Sequence, residues 1–176
     1  MARVFFFITI EKKYNISMRI RIIAIGKIKE DYLKSGISEY VKRIKPYCEI
    51  DIVEVADSPV KDNPNSSEIL RVKNEEGKRV LKLVKNNEVL INLDLNCREF
   101  SSEEFAEFIQ KKMEFAGSFL TFVIGGSYGL SDELKQRANA SISLSKMTFL
   151  HQMTRLVLLE QIYRSFKILN HETYHK

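Results

Sequence analysis

Residues Gly125-Gly126-Ser127-Tyr128-Gly129 fit G-x-S-x-G, a pattern that presents a nucleophilic serine on a sharp strand-to-helix turn. A serine hydrolase would next need an acid and then a histidine, and Asp132 and His151 occur in that order. Asp132, however, follows Ser127 by about one helical turn, too near to reach round and orient a histidine from behind. No separate oxyanion glycine loop precedes the motif, and the chain is short for that fold. The second reading dispenses with the serine. Without a Cβ at Gly125 and Gly126, a ligand can approach the backbone closely and bond to its free N–H groups. A strand that ends in such a turn and passes into a helix is where open α/β sheets bind ligands. A P-loop is excluded, because no Gly-Lys-Ser/Thr follows these glycines. A dinucleotide fingerprint would follow the first strand, where Gly26-Lys27-Ile28-Lys29 offers one glycine only.

A second stretch, Leu144-Ser145-Lys146-Met147-Thr148-Phe149, is placed to reach the same sheet edge. As a plain β-to-α connection it would use Met147 and Phe149 as core plugs. As a binding loop it would close on the glycine turn.

The elements that position both loops follow from periodicity. Arg19 to Ile25 alternates and then turns wholly apolar, which reads as a first strand ending at Gly26. Tyr32, Leu33, Ile37, Tyr40, Val41 and Ile44 have helical spacing, closed by Pro46. Glu49 to Val55 is a second strand. Turn residues fill the stretch from Asp57 to Asn65, and Asn65 with Glu68 forms a capping pair for a helix to about Val84. Glu88 to Leu95 is a third strand. Ser101 and Glu104 cap a helix that buries Phe105, Phe108, Ile109 and Met113. Phe119 to Ile124 is the fourth strand, and a short helix runs from Ser131-Asp132-Glu133 to about Arg137. Ala140 to Ser145 is the fifth strand, and a long helix covers His151 to Leu169. Strands alternating with helices predict one α/β domain with a mostly parallel sheet flanked by helices. The last helix is apolar on more than one side. That fits either a homodimer interface or a helix lodged deep in the core.

The chain has 176 residues, enough for one domain with a real core. Its net charge of +5 does not by itself require nucleic acid, but the distribution is uneven. Arg19, Arg21, Lys27, Lys29, Lys34, Lys42, Arg43 and Lys45 face only Glu30, Asp31 and Glu39 over the same stretch. Such an end suits a phosphate backbone or a solvated basic face. Cys48 and Cys97 have neither zinc nor redox spacing, which suggests reduced thiols in a cytoplasmic protein. No apolar run approaches the roughly 18 residues of a membrane span.

Beyond these readings, the motifs carry a family resemblance. Phe122 to Gly129, Ser143 to Arg155 with His151-Gln152-Met153, Glu160-Gln161-x-Tyr163-Arg164 and the terminal Tyr174-His175-Lys176 resemble the RlmH family, small SPOUT-class methyltransferases. The resemblance covers Met18 to Lys176. It implies an α/β fold with a C-terminal trefoil knot, an exception to ordinary chain topology. It implies a homodimer that binds S-adenosylmethionine and methylates N3 of a pseudouridine in 23S rRNA within the ribosome. No metal and no membrane partner are implied. The cofactor would contact Leu93, Gly125, Leu144, Ser145, Lys146, Met147, Thr148 and Phe149. The catalytic residues would be Arg155, Tyr174 and His175. Arg155 would neutralise charge on the base or a phosphate, Tyr174 would stack on or bond the base, and His175 would accept or relay a proton. A non-catalytic RNA-binding module would keep the basic stretch from Arg19 to Lys45 but has no need of the loop at 144–149.

Two residues depart from the family pattern. Leu150 stands where proline is usual, and His171 stands where a helix-ending glycine is usual; both bear on the geometry leading to the tail. Residues 1–17 read as an extension: Val4 to Ile10 resembles a short apolar targeting core, yet Glu11-Lys12-Lys13 follows in place of a small-residue cleavage site. Met18 is therefore expected to be the physiological start. Intact-mass measurement of the protein from its native source should lack residues 1–17; a mass that includes them would contradict this.

Overall fold

The computed structural model describes residues 18–116 and 119–174. The expected extension at 1–17 and the expected catalytic His175 lie outside these residues. Five strands form one sheet: β1 (Arg19–Ile25), β2 (Glu49–Val55), β3 (Val89–Glu99), β4 (Phe119–Ile124) and β5 (Ala140–Ser143). Every pairing is parallel, in the order β2-β1-β4-β3-β5. The α/β class read from the alternation of elements is the observed one.

Register explains where the chemistry gathers. Ile25 pairs with Val55, Ala24 with Ile124, Leu93 with Ile124, and Leu93 with Ile142. Because the strands are parallel, their carboxyl ends share one edge. The turns after β3, β4 and β5 therefore open side by side.

Helices cover both faces. They are α1 (Asp31–Ile44), α2 (Ser66–Leu81), α3 (Ser102–Ala116), α4 (Asp132–Arg137) and α5 (His151–Leu169). Period-2 alternation sorts the strand residues between two cores. Ile20, Ile22 and Ala24 of β1 join Phe122, Ile91, Phe105, Ile109, Leu158, Ile162 and Phe166 under α1, α3 and α5. Ile23, Ile25, Leu90 and Val123 join Val80, Leu130 and Leu134 under α2 and α4. Each fully buried Ile, Leu or Phe contributes about 1.5–3 kcal/mol through burial. Phe108 and Met113, read as core from their spacing, pack on its margin and stay partly exposed.

Local chemistry sets the element ends. The expected capping pairs of α2 and α3 are present. Asn65 accepts from the Glu68 N–H at 2.9 Å, and the Glu104 carboxylate accepts from the Ser101 N–H at 2.8 Å. β5 stops at Ser143, two residues before the expected Ser145. There the Ser143 hydroxyl accepts the Ser145 N–H and donates to the Ser145 carbonyl, replacing ladder bonds with a side-chain turn. β3 runs on to Glu99, past the expected Leu95. Its register with β5 jumps from Leu93 to Arg98, so residues 94–97 leave the ladder as a bulge. Among the helix glycines, Gly77 has a packing reason: a Cβ there would lie 2.1 Å from the Ser131 hydroxyl that caps α4.

The thiols of Cys48 and Cys97 are both free, and burial pushes Cys48 up to about 12, which keeps it inert. No helix among the described residues is long and apolar enough to cross a membrane.

His171 closes α5 in the left-handed region, at φ 54°. The Glu172 N–H bonds the Lys167 carbonyl at 2.9 Å and the His171 N–H bonds that of Ile168 at 3.1 Å. That is the turn a glycine would make, formed here with a side chain that disfavours it. The departure from the family pattern thus changes the strain and not the path of the chain. Replacing His171 with Gly should stabilise the fold by roughly 0.5–1 kcal/mol in urea denaturation, because the left-handed penalty disappears; a lower midpoint would show that the turn is not under strain.

Candidate functional site

The carboxyl edge of β3, β4 and β5 borders a cleft of about 810 Å³. This lies within the range of small-molecule and cofactor sites. Three walls build it. Leu93 and the bulge after it form one, Gly125 to Leu130 the second, and Leu144 to Thr154 the third. A Cβ on Gly125 would lie 3.1 Å from the Gly129 carbonyl carbon and 3.2 Å from Leu130 Cδ2, so a side chain there would crowd the turn. Gly129 takes φ 81°, where glycine costs nothing.

The third wall is shaped by hydroxyls. After the Ser143–Ser145 turn, the Met147 N–H bonds Ser145 Oγ at 3.0 Å. Leu150 then leads into α5 with φ −56°, ψ 134°. That φ is one proline also adopts, so the leucine at this position keeps the backbone path. Leu150, Met147 and Leu95 are each at least half exposed and give the cleft an apolar rim.

Arg155 anchors this wall to the sheet. It is fully buried. Its guanidinium bonds the Glu54 carboxylate at 2.7 Å and the carbonyls of Ile25 and Gly26 at 3.0 and 2.6 Å. Glu54 also accepts the Ile28 N–H at 2.9 Å, and Gln152 accepts that of Lys29 at 2.8 Å. One turn of α5 thereby grips the ends of β1 and β2 and the loop 26–29. Burial lowers the Arg155 pKa, and the Glu54 charge works against that fall. Arg155 was expected to meet a base or phosphate; its hydrogen bonds are directed inward instead.

Seven of the eight expected cofactor residues line the cleft: Leu93, Gly125, Leu144, Ser145, Met147, Thr148 and Phe149. Lys146 is exposed and does not line it. Tyr174 lies elsewhere. Its ring meets Tyr163 edge-on at 4.9 Å, and its hydroxyl donates to Glu160 at 3.2 Å. The Arg164 guanidinium lies 4.8 Å above its ring. Burial, then the bond with the Tyr40 hydroxyl, raises the Tyr174 pKa. These contacts sit along α5 beyond Thr154, its last residue at the cleft. The structure thus brings together seven of the residues expected at the cofactor and places Arg155 and Tyr174 apart from them.

Asp94 and Lys135 line the cleft although the sequence reading did not single them out. Asp94 and Lys135 pair at 2.7 Å across the mouth. Burial raises the Asp94 pKa, but the bonds from Lys135 and the Asn96 N–H outweigh it and hold the carboxyl below its usual value. A polar residue inside an apolar strand run was the only signal. His151 opens α5 beside Gly26; burial, then Arg155, holds it below its usual pKa, so it is neutral at pH 7. Among the described residues no hydrogen bond joins Ser127 to His151 or Asp132, and no group of three or more His, Cys, Asp or Glu is placed to hold a metal ion.

Residues 18–175 match the family model described as "Predicted SPOUT methyltransferase". The chain is 52% identical over 159 residues to the ribosomal RNA large subunit methyltransferase H of Acetivibrio thermocellus, covering 90% of this chain and 100% of that protein. The protein of the same name from Carboxydothermus hydrogenoformans is 49% identical over the same shares. Ribosomal RNA large subunit methyltransferase H 1 of Clostridium perfringens strain SM101 is 46% identical, again over 90% and 100%.

Proposed function

The chain belongs to the SPOUT methyltransferase family, and from that premise we propose that it methylates large-subunit ribosomal RNA, transferring a methyl group from S-adenosylmethionine to N3 of a pseudouridine on assembled ribosomes. The observation that supports this reading is the gathering of Leu93, Gly125 and five residues of the loop at 144–149 around one cleft. The cleft has room for a nucleoside with an amino-acid arm. Its apolar wall and the side-chain-free turn at Gly125 suit a flat base pressed against backbone.

When bound, the cofactor supplies an already activated sulfonium methyl. The chain's own residues then have to position and deprotonate. Backbone groups of the glycine turn and the loop at 144–149 hold the donor in line, and such alignment contributes up to about 7–11 kcal/mol of barrier lowering. Arg155 is a positioning residue here: it keeps the start of α5, and with it the loop at 144–149, against the sheet edge. Tyr174 and His175 act on the base, the first by stacking or hydrogen bonding and the second by taking the imide proton.

The distance of Tyr174 from its own cleft supports a composite site in a homodimer. In this arrangement the tail of one subunit reaches the cleft of its partner, and the apolar rim of Leu95, Met147 and Leu150 meets the neighbouring subunit. The crossover from β4 past β3 to β5 is the segment that would carry the trefoil knot. A soluble, cytoplasmic enzyme acting at the ribosome accords with this role.

Mass spectrometry of rRNA from cells with and without the protein tests the proposal. One pseudouridine of the large-subunit RNA should lose a methyl group in the deletion strain; identical methylation in both strains would refute it. Mixed dimers of a Gly125 variant and a Tyr174 variant should regain activity at one of their two sites, and none at all would rule out the shared site.

A further inference from the structure

A smaller recess of about 120 Å³ opens beside the main cleft and shares Gly126, Ser127, Tyr128 and His151 with it. Glu76 of α2 lines this recess and is only 3% exposed. Its Oε1 accepts the Ser58 N–H at 2.9 Å. Its Oε2 is buried and has no hydrogen-bond partner among the described residues. A buried carboxylate oxygen left unpaired is unfavourable, and native structures retain such groups where something else meets them. Burial accordingly raises the Glu76 pKa.

The carboxylate is set against the glycine turn. A Cβ on Gly126 would lie 2.8 Å from Oε2, so a side chain there would close the gap between recess and cleft. Asp57 also lines the recess, and among the described residues no Lys or Arg does. His151 on its border is neutral at pH 7. Arg79, whose charge works against the rise in the Glu76 pKa, is engaged with the Ala56 carbonyl and the Ser58 hydroxyl. The recess therefore offers two carboxylates to a small cationic group with N–H donors.

We propose that the recess receives the α-ammonium group of the cofactor's amino-acid arm, with Glu76 as its charge partner. The inference rests on the cofactor reading above and deepens it. Of the two cationic centres of S-adenosylmethionine, the sulfonium has no N–H to give Oε2, whereas the ammonium has three. The recess is too small for the adenosine, which only the main cleft can take. Gly126 is thereby the passage from one to the other, and Gly125 the wall behind the nucleoside.

Isothermal titration with S-adenosyl-L-homocysteine and its deaminated analogue tests this without turnover. The wild-type protein should bind the deaminated analogue at least about tenfold more weakly, the loss expected for one charge-assisted hydrogen bond. Glu76→Gln should bind S-adenosyl-L-homocysteine with a similar deficit and no longer distinguish the two ligands. Glutamine keeps the acceptor for Ser58 and removes a buried charge, so its melting temperature should hold or rise. If it unfolds, Glu76→Asp takes its place, with a smaller loss confined to the amine-bearing ligand. Equal affinity of wild type for both ligands would overturn the proposal, as would a variant that keeps full discrimination or weakens both ligands alike. Failure of the wild type to bind either ligand would overturn the cofactor reading itself.

Discussion

A single buried cation, Arg155, organises the edge on which everything else depends. It binds two carbonyls at the end of β1 and the Glu54 carboxylate of β2 from the first turns of α5. Removing such a charge from water is expensive, and only three directed acceptors make it tolerable. The arrangement leaves little freedom in where α5 begins. Since the loop at 144–149 is the direct lead into α5, fixing the helix fixes the loop. His151 and Gln152, on the same turn, close over Gly26 and Lys29. A charged side chain that reads as an RNA contact thus acts as a rivet between helix and sheet.

Parallel register does the complementary work from the other side. It brings Leu93 and Ile124 level, so the bulge after β3 and the glycine turn after β4 open at the same height as the end of β5. Cleft segments at the ends of three separate strands converge although they lie well apart in sequence. Tyr174, expected at the catalytic site, follows a different logic. Tyr174 is held on α5 by Tyr163, Glu160 and Arg164, away from the cleft of its own chain. The proposed donor site and the proposed base-handling tail, at separate places in one subunit, are the arrangement that the proposed exchange between two subunits requires.

Much of this was legible in the residues themselves. Alternation placed β1, β2 and β4 to the residue, since strands with both faces covered read as apolar runs. The capping pairs Asn65–Glu68 and Ser101–Glu104 marked two helix starts because their chemistry is local. What could not be read depended on partners distant in the chain. Asp94, Asn96 and Arg98 look like the end of a strand, yet β3 continues because β5 pairs with it again past the bulge. Ser143 and Ser145 alternate like strand residues, but their hydroxyls compete for the ladder. Arg155 and Glu76 carry charge and would be placed at the surface by residue type alone. Only the fold shows one bonded inward to Glu54 and two carbonyls and the other with an oxygen left unpaired among the described residues. The glycine turn was visible from the start; its serine, which fits a nucleophile's pattern, has neither of its expected partners.

The central claim is that Arg155 serves the cofactor site by holding α5 to the sheet. The most direct measurement is the affinity of Arg155→Lys for S-adenosylmethionine in the absence of RNA. Lysine keeps the charge but cannot reach three acceptors in a fixed fork. The account predicts a loss of about tenfold or more, roughly the effect of misplacing binding groups by a fraction of an ångström. Unchanged cofactor affinity, with methylation of ribosomal RNA abolished, would contradict it and return Arg155 to the RNA.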